Sequence, residues 1–277
     1  MPELATVAEA LAHARAIGVE RLDAQVLLVY LLGRPRAWLL AHNDAPIADP
    51  ASLMTLLARR AAGEPLAYLT GEREFHGLRL QVTPDVLVPR PDTETLVDWA
   101  LELLADAPAP CVADLGTGSG AIALALKQAC RHAEIHASDA SDAALAVARR
   151  NGERLGLPVA WHAGDWWHAF DTRFRFDLAV ANPPYIATGD PHLAALRHEP
   201  RAALVAHGGG LADIHAIIVG ASARLHGAGW LLLEHGFEQA DAVCTALRRA
   251  GFETVSTRID LGGQPRVSGG RRGAAAG

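Results

Sequence analysis

Two short stretches combine residue types at spacings that suit chemistry. In "DLGTGSGAIALAL", Asp114 to Leu126, glycines stand at 116, 118 and 120. Glycine lets a chain turn sharply off a strand and lets a ligand approach the main chain without a Cβ in the way. A small molecule is therefore expected across Gly116, Thr117, Gly118, Ser119 and Gly120. One strand later Asp139 closes "EIHASD", 19 residues beyond Gly120, where a carboxylate can accept hydrogen bonds from ribose hydroxyls. Loop and acid together point to a nucleoside. The second stretch is "FDLAVANPPYIATGD", Phe176 to Asp190. Proline has no N–H, so Pro183 and Pro184 cannot continue a strand ladder; they hold the chain in a fixed extended turn and leave carbonyls free. The Asn182 side-chain oxygen and a proline carbonyl then form a pair of acceptors, which suits a planar –NH₂ group.

The spacing G-x-G-x-G differs from the G-x-G-x-x-G of dinucleotide binders, and Asp114 two residues ahead of the first glycine is a further departure. A pyrophosphate needs a helix N-terminus aimed at it; S-adenosylmethionine has no phosphate. "DLGTGSG" followed by a strand-end aspartate resembles the cofactor loop of class I methyltransferases, which makes S-adenosylmethionine the expected cofactor and S-adenosylhomocysteine its product. An amide or exocyclic amine is a poor nucleophile because its lone pair is delocalised. Two acceptors can orient it and favour the positive charge that builds on nitrogen as it attacks a sulfonium methyl. Asn182 and Pro183 are thus the catalytic candidates together with Tyr185, which can stack on the planar group and exclude water. Asn182, Pro183, Pro184 and Tyr185 are the expected substrate-binding set.

The elements that must hold these residues are legible in the periodicity. "VAEALAHARAIG", "RLDAQVLLVYLLG", "RAWLLAH" and "ASLMTLLARRAAG" carry apolar residues at three- and four-residue spacing, which predicts a small helical bundle. Residues 1–72 are read as one domain. The stretch "GEREFHGLRLQVTPDVLVPRPDTE" alternates apolar and polar residues around His76-Gly77 and then becomes proline-rich, predicting a β-hairpin and an extended connector over 73–91. Over 92–277, six strand-like runs ("CVADL", "EIHASD", "PVAWHA", "FDLAVA", "GWLLLEHG", "FETVSTRI") alternate with helix-like ones. Such repetition implies an α/β domain with a mainly parallel sheet covered on both faces. The terminal "SGGRRGAAAG" is expected to be disordered.

Composition removes several alternatives. With 25 basic against 31 acidic side chains and a formal charge of −6, a protein that holds nucleic acid mainly by neutralising phosphates is disfavoured. No apolar run is long enough to cross a bilayer, and the first twenty residues lack the regions of a secretory signal, so a cytoplasmic enzyme is expected. Cys111, Cys130 and Cys244 lie far apart in apolar segments and read as core thiols, with no metal site expected. "HGGG" at His207–Gly210 suggests a hydrolase oxyanion loop, but Thr117 stands where a G-x-S-x-G elbow needs glycine. "LGGQPR", Leu261 to Arg266, contains Gly-Gly-Gln and reads as a turn between the last strands.

Beyond the two motifs, Gly63 to Leu101 with its "PRPDTE", "GDWW", "EPRAAL" (Glu199 to Leu204) and "GWLLLEHGFEQ" closely resemble the HemK/PrmC family over nearly the whole chain. Its members are protein-(glutamine-N5) methyltransferases of class-1 peptide chain release factors. The resemblance implies the Rossmann-like fold of class I S-adenosylmethionine-dependent methyltransferases with a seven-stranded sheet. It also implies methylation of the glutamine in a release factor's Gly-Gly-Gln loop, docking of that partner by the helical N-terminal domain, and a monomer. It assigns Gly116 to Gly120 and Asp139 to the cofactor, Asn182 to Tyr185 to the glutamine, and an adenine-side tryptophan to Trp166, with Trp167 the neighbouring alternative. Arg90 and Glu94 are open between binding and a helix-capping role for Asp92-Thr93-Glu94. The connector favours release factors over the ribosomal protein methylated by a related class whose connector is nearer to P-R-S-P. Nucleic-acid aminomethyltransferases share N-P-P-Y and form the rival class.

Overall fold

The computed structural model describes residues 5–273, which form two compact units divided after Glu72. The first unit holds helices α1 (Val7–Ala16), α2 (Arg21–Leu32), α3 (Arg36–Ala41), α4 (Pro50–Ala61) and the short α5 (Leu66–Thr70). Thr6 and Glu9 form a reciprocal capping box at the start of α1, which satisfies two N–H groups the helix leaves free. Val7, Leu27, Leu28, Leu39, Leu53 and Leu57 meet in its core. The five-residue α5 is too short to show a periodicity in the sequence.

The second unit opens on the hairpin β1 (Glu72–Phe75) and β2 (Leu78–Gln81). Its turn falls on His76 and Gly77 with φ of 48° and 75°, the left-handed pair that a tight hairpin needs. After a 3₁₀ turn at Pro91–Thr93 come α6 (Glu94–Leu104), β3 (Cys111–Leu115), α7 (Ala121–Ala129), β4 (Glu134–Asp139), α8 (Asp142–Leu155), β5 (Ala160–Ala163) and β6 (Phe176–Ala181). There follow the short β7 (Ile186–Ala187) and β8 (Val205–Ala206), the kinked α9 (His207–Gly210), α10 (Ala212–Ala221), β9 (Leu225–Glu234), α11 (Ala240–Arg249), β10 (Phe252–Ile259) and β11 (Pro265–Arg272).

Seven strands form one sheet in the order β10-β11-β9-β6-β3-β4-β5. The pairs among β9, β6, β3, β4 and β5 are parallel, and β11 runs antiparallel to both its neighbours. Along β6, Leu178 and Val180 join the core under α6 and α7. Ala179 and Ala181 join the core under α10 and α11. Period-two alternation thus places apolar side chains on both faces, each buried Leu or Val contributing roughly 1.5–3 kcal/mol. Strand order reverses at β3, so the crevice beyond the carboxyl ends of β3, β4 and β6 is where a ligand is expected. No helix among the described residues is long and apolar enough to cross a membrane.

One expectation fails here. "SGGRRGAAAG" reads as a disordered tail, yet Ser268 to Arg272 complete β11; residues 274–277 lie outside the described ones. The glycines serve packing instead of flexibility. A Cβ on Gly269 would stand 2.4 Å from Leu232 Cδ2, and one on Gly270 2.9 Å from Phe252 Cβ, both below any tolerated contact.

Candidate active site

The glycine loop leaves β3 with Gly116, Gly118 and Gly120 all left-handed, at φ of 73°, 55° and 84°. Its main chain is tied to β4: the N–H groups of Gly116 and Thr117 donate to the Ser138 carbonyl at 2.9 and 2.8 Å. Asp139 clamps the same loop, its Oδ2 accepting from Gly118 N and its Oδ1 from Ser141 N, each at 2.9 Å. Burial pushes this carboxyl's pKa up, while those backbone N–H groups oppose the shift. Beneath the loop lies Asp114, fully buried. It accepts from Thr117 Oγ1 at 2.6 Å and from Ala123 N at 3.2 Å. Burial raises its pKa to about 7. In the sequence Asp114 stands out only as a departure from a dinucleotide motif; its place at the end of a buried strand, three residues before the Thr117 hydroxyl, is the signal for this role.

A cavity of about 350 Å³ opens over this loop. Gly116 to Ser119, Asp139, Trp166, Asn182 and Pro184 line it, and Phe75, Val86 and Leu87 approach from the hairpin and connector. Gly120 is not among the lining residues; a Cβ there would meet Leu124 and Trp161 at 3.1 Å, so it serves the packing of α7. The two tryptophans separate cleanly. Trp166, held at φ 42°, lines the cavity with its ring against Gly116, where a Cβ would come within 2.8 Å of Cζ3. Trp167 is buried in the core and donates from Nε1 to the Ile217 carbonyl at 2.8 Å.

A second cavity, about 290 Å³, is lined by Asn182, Tyr185, Ile186, Leu196, Glu199 and Leu204. Leu87, Arg90, Asn182 and Ala203 line both cavities. Asn182 follows directly on β6, and its Nδ2 donates to Thr93 Oγ1 at 3.2 Å. Its Oδ1 remains an acceptor. Pro183, expected in the substrate site, is buried and lines neither cavity. Tyr185 is fixed at both ends: its carbonyl accepts from Gln239 Nε2 at 3.1 Å, and its hydroxyl reaches Glu234 Oε1 at 3.5 Å. Burial first, and then the Glu234 charge, push the phenol's pKa up. The "HGGG" segment is part of this support, since a Cβ on Gly210 would stand 2.2 Å from the Tyr185 carbonyl oxygen.

Of the two roles open for the connector residues, helix capping is not the one the structure shows. None of Asp92, Thr93 and Glu94 gives a side-chain cap to α6. Asp92 instead pairs with Arg266 at 3.3 Å, Glu94 accepts from His76 N at 3.0 Å, and Thr93 holds Asn182. Arg90 forms an ion pair with Glu199, whose Oε2 accepts from Val88 N at 3.1 Å. The acid at the end of β9, Glu234, was not read as a site residue; "LLLEHG", a carboxylate closing an apolar strand, was the signal. It is 1% exposed. Burial raises its pKa to about 7, with Thr93, Arg266 and Tyr185 pulling the other way. "LGGQPR" forms the turn into β11, closed by reciprocal bonds between Asp260 and Gln264. At the opposite strand ends Cys111, Glu134 and His136 bring ligand-type atoms within 4.8 Å of one another, with His136 already bonded to Glu134 and His162.

Comparison with known proteins agrees with this layout. Residues 4–71 match the family model of the PrmC N-terminal domain, and residues 94–233 that of the methyltransferase small domain. A release factor glutamine methyltransferase of Bordetella pertussis is 52% identical over 257 residues, 91% of this chain and 95% of that protein. The Burkholderia pseudomallei protein of the same name is 49% identical over 98% of this chain and 97% of its own length. The one from Escherichia coli is 43% identical over 95% and 96%. Among solved structures, a methyltransferase from Pyrococcus furiosus superimposes with a TM-score of 0.54 at 17% identity, covering 71% of this chain and 90% of that one. The Thermus thermophilus 16S rRNA N2 G1207 methyltransferase, solved with AdoMet and guanosine, gives 0.55 at 21% identity over 73% of this chain and 49% of its own. At such identities these two structures show the class I methyltransferase fold alone.

Proposed function

The chain belongs to the release factor glutamine methyltransferase family, and on that premise we propose its reaction. It transfers the methyl group of S-adenosylmethionine to the side-chain amide nitrogen, N5, of the glutamine in the Gly-Gly-Gln loop of class-1 peptide chain release factors. S-adenosylhomocysteine is the other product. The observation that carries this reading is that Asn182 lines both cavities while its Nδ2 is occupied by Thr93. Its oxygen is left for an acceptor –NH₂ beside the donor cavity.

The residues over the glycine loop fit the donor. Asp139 offers acceptor capacity to ribose hydroxyls, Trp166 offers a ring face, and the main chain at Gly116 is open where a side chain would collide with that ring. Bound there, S-adenosylmethionine supplies an electrophilic methyl on a sulfonium. Asn182 Oδ1 and the Pro183 carbonyl accept the two amide hydrogens, which turns the nitrogen lone pair toward the donor and favours the charge developing on nitrogen. Tyr185 covers the planar amide and keeps water out. The surplus proton leaves after the transfer, so no strong base is needed in the cavity.

The functional division that goes with this reaction is residues 1–72 for docking, 73–91 as connector over the site, and 92–277 for catalysis. Exposed Leu22, Tyr30 and Leu40 on the helical unit supply apolar area for the docking partner. The enzyme acts as a cytoplasmic monomer on a protein, without direct nucleic-acid contact. The test is incubation with labelled S-adenosylmethionine and purified release factor, repeated with the factor's loop glutamine changed. Label should reach only the unchanged factor; label on RNA, or undiminished label on the changed factor, overturns the assignment.

A further inference from the structure

The strand ends opposite the two cavities carry side chains that the methyl transfer does not use. Cys111 opens β3 and Glu134 opens β4, and the two are register partners in the parallel pair. His136 lies two residues further along β4, so period-two alternation puts it on the same face as Glu134. One atom from each, the sulfur, a carboxylate oxygen and a ring nitrogen, lies within 4.8 Å of the other two. No ligand spacing in the sequence announces this set, because it is strand pairing that joins residues 111 and 134. We propose that Cys111, Glu134 and His136 form a binding site for a zinc-type divalent cation, at the end of the sheet away from the catalytic cavities and independent of the reaction assigned above.

The imidazole is the most firmly placed of the three ligands. His136 is 4% exposed, and the rings of Phe174 and Phe176 meet it edge-on at centroid distances of 4.7 and 5.8 Å. Both its nitrogens face partners: Nδ1 lies 3.0 Å from His162 Nε2, and Nε2 lies 3.0 Å from Glu134 Oε1. A metal-binding histidine donates its other N–H to a fixed acceptor, which sets the tautomer. His162 supplies that acceptor. With His136 Nδ1–H donating to it, the Nε2 lone pair faces the Glu134 carboxylate, and two acceptors that close are held together by a cation. A proton bridges two such atoms, whereas a metal ion also takes the Cys111 sulfur. That sulfur enters no hydrogen bond among the described residues, while the Cys111 N–H anchors the strand start by donating to Asp177 Oδ2 at 2.9 Å. In a tetrahedral zinc site the ligand atoms stand roughly 3.3–3.7 Å apart; the N–O pair is near that separation, and the exposed Glu134 side chain is free to rotate. Thiolate and imidazole select zinc over magnesium and calcium, which take oxygen ligands. On loading, Cys111 gives its thiol proton to the buffer and water fills the fourth position. Thiolate, carboxylate and dication then sum to zero charge.

The test uses the full-length protein, free of any affinity tag, with metal salts alone. Calorimetric titration with Zn²⁺ should show one tight site, and Co²⁺ should develop a thiolate-to-metal absorption band that Mg²⁺ does not. His162→Phe keeps the ring packing and deletes the acceptor; it should weaken Zn²⁺ binding about 10–100-fold and keep the band. Cys111→Ser removes a ligand, so it should abolish the band and weaken binding by more than about 10²-fold. Zn²⁺ at about a hundredfold excess over its Kd should raise the wild-type Tm by about 5 °C and leave that of Cys111→Ser unmoved. Melts without added metal show whether each variant folds; if Cys111→Ser does not, Glu134→Gln takes its place in the binding assay, with a loss of about tenfold or more expected. Absence of the Co²⁺ band in the wild type, its persistence in Cys111→Ser, or equal Zn²⁺ affinity in wild type and ligand variant overturns the inference. Methyl transfer is not among the readouts, so failure of the proposed substrate assignment would leave this result standing.

Discussion

The cavity over Gly116–Gly120 and the cavity under Asn182–Tyr185 share a wall at Asn182 but are built from different material. The first is made of backbone: three left-handed glycines, N–H groups tied to the Ser138 carbonyl, and an aspartate that clamps the loop through its main chain. The second is made of side-chain ends, each held by a partner distant in sequence, such as Thr93 for Asn182 and Gln239 for Tyr185. The donor side should therefore be sensitive to added volume and the acceptor side to altered functional groups.

The largest effect tests the acceptor side. Asn182→Ala should lower kcat by about 10²-fold or more and leave the Kd for S-adenosylmethionine largely intact, since the loop does not depend on it. Near-normal turnover would remove Asn182 from the chemistry. On the donor side the sensitivity inverts. Gly116→Ala meets both a left-handed φ of 73° and the Trp166 ring at 2.8 Å, and the backbone cost alone is about 1–2 kcal/mol. Donor Kd should rise about tenfold or more, with kcat at saturating donor nearly kept. Gly118→Ala bears only the backbone cost, as nothing lies within 4 Å of its Cβ. Equal losses at 116 and 118, measured by calorimetry, would show that space against Trp166 is not what the loop protects.

The same contrast explains what could be read from the sequence. Backbone sites announce themselves, because glycine and proline have few other uses at such spacing: Gly116, Gly118, Asp139 and the Asn182–Tyr185 turn were all legible, as was the strand-helix alternation beneath them. Side-chain partners did not announce themselves. Thr93 and Glu234 stand 89 and 52 residues from Asn182, and nothing local joins them. Asp92-Thr93-Glu94 looks like a helix cap because the capping residue types are the same whether they bond their own helix or another element. β11 misled for a related reason, glycine serving close packing in a stretch whose composition resembles a tail.

Glu234 also links the comparison to stability. Its folded pKa, about 7, lies above the ordinary carboxylate value of 4.5, so the folded state binds the proton more tightly than the unfolded one. Stability is then greatest at acid pH and is lost as pH rises from about 4.5 toward 7. Glu234→Gln removes the buried charge. It should raise stability at pH 8 by roughly 3 kcal/mol, at about 1.4 kcal/mol for each of about 2.5 pKa units, with the gain shrinking toward pH 5. Urea denaturation at the two pH values reads this directly; a gain of equal size at both would mean the charge is not its source.

The smallest effect separates the adjacent tryptophans. Trp167→Phe deletes the 2.8 Å bond to the Ile217 carbonyl inside the core and should cost about 1 kcal/mol, seen as a Tm lower by about 2–4 °C. The Kd for S-adenosylmethionine should not move, because Trp167 faces α10 and not the loop. Trp166→Ala should do the reverse, weakening donor binding with little change in Tm, since its ring lies in the cavity wall. A fall in both quantities for both variants would mean that the donor cavity and the core beneath it behave as one body, and the distinction between backbone-built and side-chain-built halves would lose its sharpest boundary.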